Sequence, residues 1–296
     1  MLIDRCATGG TTGQITLPMS ELRRVPIPPI ADKEQDALEA LFLQSRKSAA
    51  SAVSHYECAR RILESELHLD RLTFQRPVSY TACASKIAVS RRFDSEHYFP
   101  AFRAFKTGLP ACISLSPLSK CLDFCKRGKQ PSYSKTGLPV VNSKHVQPNR
   151  VITDNNRLAR ANPDANLQIR FGDTLLNGTG RGTIGRSAPY LSEALSIADN
   201  HVTILRSKLD PAYLALYLNS PAGQMQVEMH QRGSSGQLEL YPFDIRKFLV
   251  WIAPPEFQRE IRRLHDMAAS AERESRLFLE EAKTRIEQLI EEAVQP

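Results

Sequence analysis

One segment of this chain occurs twice. Residues 13–35 read GQITLPMSELRRVPIPPIADKEQ, and residues 236–258 read GQLELYPFDIRKFLVWIAPPEFQ. Gly13-Gln14 aligns with Gly236-Gln237 and Gln35 with Gln258 at an offset of 223. In the same register Leu17 meets Leu240, Leu22 meets Ile245, and Arg23-Arg24 meets Arg246-Lys247. The double prolines Pro28-Pro29 and Pro254-Pro255 match after a slip of three residues. Duplicated sequence implies duplicated local structure, so the chain is organised around two equivalent lead-ins.

Each lead-in opens a long helical pattern. A double proline forbids helix before it and suits a helix start just after it. In the second copy apolar or small residues fall at Phe257, Ile261, Leu264, Ala268, Ala271, Ser275, Phe278, Ala282 and Leu289, with Arg285 as the break. Alternating spacings of four and three are the seam of a coiled coil. Residues 256–294 would span about 58 Å as a helix. The first copy, near 33–67, carries Leu38, Leu41, Ser45, Ala49, Ala52, Tyr56, Ala59 and Leu63. Two equivalent helices of similar length are expected to pair antiparallel, with Leu38, Leu41, Ala52, Leu63, Ile261, Leu264, Ala271, Phe278 and Leu289 as pairing residues. The organisation reads as a domain tail (1–30), a spacer helix (31–69), a complete domain (70–255) and a second spacer helix (256–296). The rest of a first domain is then lost, or supplied by a second copy or another chain.

The region between the helices mixes short apolar runs with turn signals. Leu138–Val141, Thr174–Leu176 and His201–Leu205 read as strands. Pro211–Asn219 reads as a short helix capped by Asp210. The fold class is therefore α/β (α+β), a mixed domain with a curved sheet, flanked by two long helices.

Charge points to the partner. The 296 residues carry a net charge of +7. Residues 126–186 hold eleven Lys and Arg against three Asp, a net +8. Residues 256–294 hold ten acids and seven bases. The basic charge is thus concentrated in the middle of the chain, as a polyanion-binding surface requires. No apolar run is long enough for a membrane helix, and the first residues lack a signal-peptide pattern, so a cytoplasmic address and no membrane partner are expected.

The richest stretch for chemistry runs from Gly172 to Ser187, GDTLLNGTGRGTIGRS. Gly180 to Gly185 nearly spells a phosphate-binding loop, but Arg186 stands where that loop needs Lys. An NTP-dependent enzyme using Gly180–Ser187 is therefore the alternative reading, and a stand-alone DNA-binding regulator is a third. The stretch lacks the Asn-Pro-Pro-Phe or Asp-Pro-Pro-Tyr tetrapeptide of amino-methyltransferases. The six cysteines include one close pair, Cys121 and Cys125, without a second pair at zinc spacing. No catalytic residue, metal site or cofactor is expected in this chain. A Gly-rich loop also suits close backbone approach to phosphates, with Arg side chains reaching phosphates or base edges. The candidate DNA contacts are Lys129, Tyr133, Lys135, Lys144, Asn177, Thr179, Arg181, Thr183 and Arg186.

Several segments together resemble the specificity subunit of type I restriction-modification systems. Gly137–Val146 is similar to that family's Gly-x-Pro strand and polar turn. Phe171–Leu176 with Gly178–Gly185 is similar to its Gly-Asp strand and Gly-rich hairpin. Arg92–Tyr98 (RFDSEHY) resembles its Arg-Leu-Asp-x-x-Tyr-Tyr segment, and the lead-ins at 27–35 and 252–258 resemble its conserved helix starts. The resemblance implies a non-catalytic subunit of a bacterial or archaeal phage-defence complex. It implies target-recognition domains that read double-stranded DNA, and helices that dock DNA adenine methyltransferase subunits and a restriction/translocase subunit. S-adenosylmethionine, ATP and magnesium would then belong to those partners. This chain departs from the family in having one whole domain and a fragment of another.

Overall fold

The computed structural model describes residues 8–9, 15–16, 18–23, 29–72, 78–160, 164–233 and 237–294. They fall into two compact units, Met1–Ser51 with Ser270–Pro296, and Ala52–Ala269. Two long helices dominate, α1 (Asp32–Glu66) and α4 (Pro255–Val294). No helix among the described residues is long and apolar enough to cross a membrane.

Where both copies are described, the duplicated segment folds alike. Met19–Leu22 and Pro242–Ile245 are both short helices, and α1 and α4 begin at Asp32 and Pro255, all at the offset of 223. The amide of Arg23 donates to the Met19 carbonyl, as that of Arg246 does to the Pro242 carbonyl. Gln35 Nε2 donates to the Ile30 carbonyl at 2.6 Å, and Gln258 Nε2 to the Ala253 carbonyl at 2.7 Å. Each glutamine thus ties the first turn of its helix to the extended chain before it. The three-residue slip of the prolines does not displace the helix starts. Gly13, Gln14, Leu17, Arg24, Pro28 and Gly236 lie outside the described residues.

In the first unit, residues 32–51 of α1 run antiparallel to residues 270–294 of α4. Ser45 Oγ lies 3.0 Å from Ser275 Oγ, Ser48 Oγ donates to Glu274 at 2.8 Å, and Arg285 pairs with Glu34 at 2.7 Å. Arg285, the break in the apolar seam, is therefore matched by an acid on the other helix, which holds the Glu34 carboxyl below its ordinary pKa. Leu38, Ser45, Ser48, Ser275 and Ala282 are buried, and Leu41, Ala271, Phe278 and Leu289 are half-buried. Ala49 is exposed and Ser48 takes its place: a helix turns 3.6 residues at a time, so a strict repeat drifts off the seam.

In the second unit the remaining parts of the helices meet at Tyr56 and His265, whose ring centroids are 5.8 Å apart. Ala52, Ala59, Leu63, Ile261, Leu264 and Ala268 are buried here. Eight strands form two four-stranded sheets. They are β1 (Leu122–Arg127), β2 (Tyr133–Val141), β3 (Leu158–Ala159), β4 (Gln168–Ile169), β5 (Thr174–Asn177), β6 (Ser187–Pro189), β7 (Ser196–Ala198) and β8 (Val202–Ser207). The first sheet is antiparallel, in the order β6-β5-β8-β1. The second, β3-β2-β7-β4, contains one parallel pair, β2 with β7. Helix α2 (Pro211–Asn219) covers the first sheet at β5 and β6, and α3 (Pro221–His230) packs against α2. Asp210 caps α2 by accepting from the amides of Ala212 and Tyr213, as the sequence indicated.

Strands β5 and β8 are buried on both faces. Leu175 and Ile204 join a core with Val141, Ile169 and Ala198 of the second sheet. Leu176 and Leu205 join the larger core with Tyr213, Tyr217 and Phe248. Just before β5, Asp173 forms a buried ion pair with Arg206 at 2.9 Å and accepts from the Arg170 amide.

Leu264 sits in the larger core at 4% exposure. Leu264→Asp should lose about 4 kcal/mol or more, from the cavity and the buried charge together. Leu277→Asp, at a 69% exposed helix position, should change stability by less than about 0.5 kcal/mol. Urea unfolding of the two variants checks the difference.

Candidate nucleic-acid interface

The Gly-rich loop, 178–186, leaves the buried strand β5 and returns as β6. Its base is closed by Asn177 and Gly185, whose backbone groups bond across the loop at 2.9 Å. The Gly178 amide donates to the His201 carbonyl, and its own carbonyl accepts from the Leu240 amide. Thr179 forms a bridge to Glu239, so the second repeat copy lies along the loop. In the first copy Thr16, equivalent to Glu239 at the offset of 223, pairs with Thr8. Gly185 has φ +83°, and an added Cβ would come within 2.9 Å of Val227 on α3. Gly182 has φ +80° with open space around it. The loop is thus clamped at its base and free at its tip.

The candidate contacts fall into different settings. Arg181 is exposed on the loop tip. Lys144 is exposed on the 142–150 turn, which abuts the loop through Asn177 Nδ2 donating to the Ser143 and Val146 carbonyls. Arg186 is half-buried and donates to Gln147 Oε1 at 3.1 Å, so it joins loop to turn. Thr179 Oγ1 lies 2.6 Å from His201 Nδ1. Asn177 and Thr183 need correcting. Asn177 is fully buried and holds the 142–150 turn; Thr183 Oγ1 donates to the Thr179 carbonyl inside the loop. Both serve loop geometry, because a short polar side chain beside a tight turn finds backbone partners first. Lys129, Tyr133 and Lys135 are exposed on and before β2, in the second sheet, where the Arg157 guanidinium lies 3.5 Å from the Tyr133 ring centroid. Of the eleven basic residues in 126–186, nine are exposed.

The sequence reading did not place a second wall beside the loop. Residues Arg91–Glu96 and Arg232–Gly233 face Arg181 across a cleft of about 830 Å³. Arg92 is buried and anchors this wall: it pairs with Asp94 and donates to the His230 and Gln231 carbonyls at the end of α3. The Arg-Phe-Asp motif was visible in sequence, but its distance of about ninety residues from the loop hid the partnership. Arg232 is taken by Asp244 at 2.8 Å, and both Arg92 and Arg232 depress the pKa of their carboxylates.

The arrangement suits ion pairing and backbone contacts. After Arg186-Ser187 the chain enters strand β6, where a phosphate-binding loop would enter a helix whose N-terminus holds the anion. The NTP-hydrolase alternative therefore lacks its main structural element. Cys121 and Cys125 are both buried, and burial raises the Cys125 pKa to about 11, which disfavours the thiolate a metal needs. Among the described residues no group of three or more His, Cys, Asp or Glu side chains is placed to hold a metal.

No family model and no curated protein matches this chain. Among solved structures it is similar to the HsdS subunit from Thermoanaerobacter tengcongensis at 15% identity and a TM-score of 0.41, covering 99% of this chain and 66% of that one. It is also similar to the type I restriction-modification system S subunit from M. genitalium at 12% identity and a TM-score of 0.44, covering 97% of this chain and 68% of that one. The chain thus spans about two thirds of the length of each.

Two predictions follow from the anchoring. Gly185→Ala should destabilise by about 2 kcal/mol through φ strain and the clash with Val227, while Gly182→Ala should cost about 1 kcal/mol; thermal melts distinguish them. Burial lowers the pKa of His230 to about 4, from about 6.5 in an unfolded chain. The neutral ring is the native form, so its contribution is whole above pH 6.5 and is lost as pH falls toward 4. Between pH 7 and pH 5 the loss is about 2 kcal/mol. Urea unfolding at both pH values should show this slope reduced in His230→Gln, with the lowered pKa of His145 contributing equally to both proteins.

Proposed function

We propose that this chain is a DNA sequence-recognition subunit of a type I restriction-modification complex, reading a short half-site of double-stranded DNA. The observation that carries the reading is that nine of the eleven basic residues between Lys126 and Arg186 are exposed, in the same stretch of chain as a Gly-rich loop clamped at its base. Rigid backbone beneath mobile cations is what groove and phosphate contacts require. The ordered resemblance of Arg92–Tyr98, Gly137–Val146 and Phe171–Gly185 to the specificity-subunit family supports the same conclusion.

In this reading the chain performs no catalysis. Lys144 and Arg181 contact DNA, Arg186 fixes the loop against the turn, and Lys129, Tyr133 and Lys135 extend the surface along the second sheet. The paired helices dock adenine methyltransferase subunits and a restriction/translocase subunit in the bacterial or archaeal cytoplasm. S-adenosylmethionine, ATP and magnesium act on those partners. The first repeat copy, which shares with the second its short helix and its long-helix start, belongs to a second recognition domain. A stand-alone DNA-binding regulator is the competing reading, and co-purification with a methyltransferase separates the two.

The full chain should bind a random-sequence duplex pool with an affinity that falls steeply as salt rises, because bound cations displace condensed counterions. Arg181→Ala and Lys144→Ala should each lower the slope of log affinity against log salt by about one. Filter binding between about 50 and 200 mM salt measures it; salt-independent binding would sink the electrostatic basis of the reading.

A further inference from the structure

The wall opposite the Gly-rich loop alternates. Arg92 is buried and pairs with Asp94, whose side chain is 39% exposed. Arg91 and Phe93 point outward. Phe93 is 88% exposed, a large aromatic side chain standing in solvent. Arg91 is exposed as well, at φ +53°. That left-handed turn ends the Ala84–Ser90 helix, with the Arg91 amide donating to the Ile87 carbonyl. Three further bonds hold the segment: Tyr98 Oη donates to the Arg92 carbonyl at 2.6 Å, Ser90 Oγ meets the same hydroxyl at 2.6 Å, and His97 Nδ1 donates to the Met229 carbonyl at 2.9 Å. The exposed ring therefore sits on an anchored base.

We propose that Arg91 and Phe93 form the second wall of a DNA-binding cleft, with Phe93 stacking on or inserting beside a base while Arg91 and Arg181 hold the flanking phosphates. The inference rests on the DNA-recognition reading above and adds two contacts to it. Charge complementarity fixes the occupant. Arg232 is paired with Asp244 and Arg92 with Asp94, so the cations of the cleft without a carboxylate partner among the described residues are Arg91 and Arg181. Glu96, also exposed at the rim, is the one acid there without an arginine partner among the described residues. A protein partner would bury Phe93 against an apolar surface, but here Arg91, Arg181 and Arg232 line the same cleft as Phe93. An aromatic ring between arginines is the arrangement that stacks on bases while phosphates are neutralised.

The test uses the full chain and the random-sequence duplex pool. Arg91→Ala should weaken binding several-fold and lower the salt slope by about one. Phe93→Ala should weaken it roughly five- to a hundredfold with the slope unchanged, and Phe93→Trp should restore it. The emission added by Phe93→Trp, read against the native Trp251 signal, should be quenched when DNA is added. Glu96→Gln should strengthen binding. All three side chains lie on the surface, and unchanged melting temperatures confirm the fold. Wild-type affinity and slope in both alanine variants, with no added quenching, would overturn the inference and leave the DNA-recognition reading standing. Absence of DNA binding by the wild-type chain would overturn both.

Discussion

The strand Thr174–Asn177 has no solvent face. Leu175 points into the core between the sheets and Leu176 into the core beneath the helices, each burial contributing about 2 kcal/mol. Because both sides are packed, neither sheet can shift without opening a cavity. The Gly-rich loop emerges from the end of this strand, and its position inherits that immobility. The ion pair of Asp173 with Arg206 adds a direction. It ties the start of the strand to its neighbour β8, and Arg206 also donates to the Gln168 carbonyl of the second sheet. The apolar contacts fix depth, and the buried pair holds the end of the strand away from the loop.

Arginines in this domain serve two purposes. Arg92, Arg206 and Arg232 are each matched to a carboxylate and hold chain segments together. Arg91, Arg181 and most of the basic run between Lys126 and Arg186 are exposed. A guanidinium suits both uses, because its planar fork satisfies several acceptors when buried and meets phosphate oxygens when exposed. Net charge alone does not separate the two groups; their carboxylate partners do.

The elements that could be read from the chain are those specified locally. Asp210 before Pro211 announces a cap and first turn, and the structure has both. The repeat implied equivalent helix starts, and Asp32 and Pro255 obey its offset even where the prolines slip. The features that escaped depend on distant neighbours. Asn177 looked like a polar group offered to a ligand, yet Ser143 and Val146, thirty residues earlier, supply the carbonyls that bury it. Phe93 stood in the Arg92–Tyr98 motif and Arg91 just before it, but nothing in local sequence brings them to Arg181. Ala49 followed the heptad rule, but α1 had rotated enough to present Ser48.

Ser45 and Ser275 are buried where the two helices meet, at 3% and 8% exposure, with their hydroxyls 3.0 Å apart. A slide of one helical turn would carry Ser45 toward Ala271 or Phe278, and Ser275 toward Leu41 or Ser48. Most of those positions put an apolar side chain where the facing hydroxyl was, so the Ser45–Ser275 hydroxyl bond is lost, at about 0.5–1.5 kcal/mol. Apolar small residues alone would let the helices creep past one another at little cost. The serine pair therefore behaves as a detent: the helices fit at one notch, and a change in length at either end must be met by whole turns before the notch is found again.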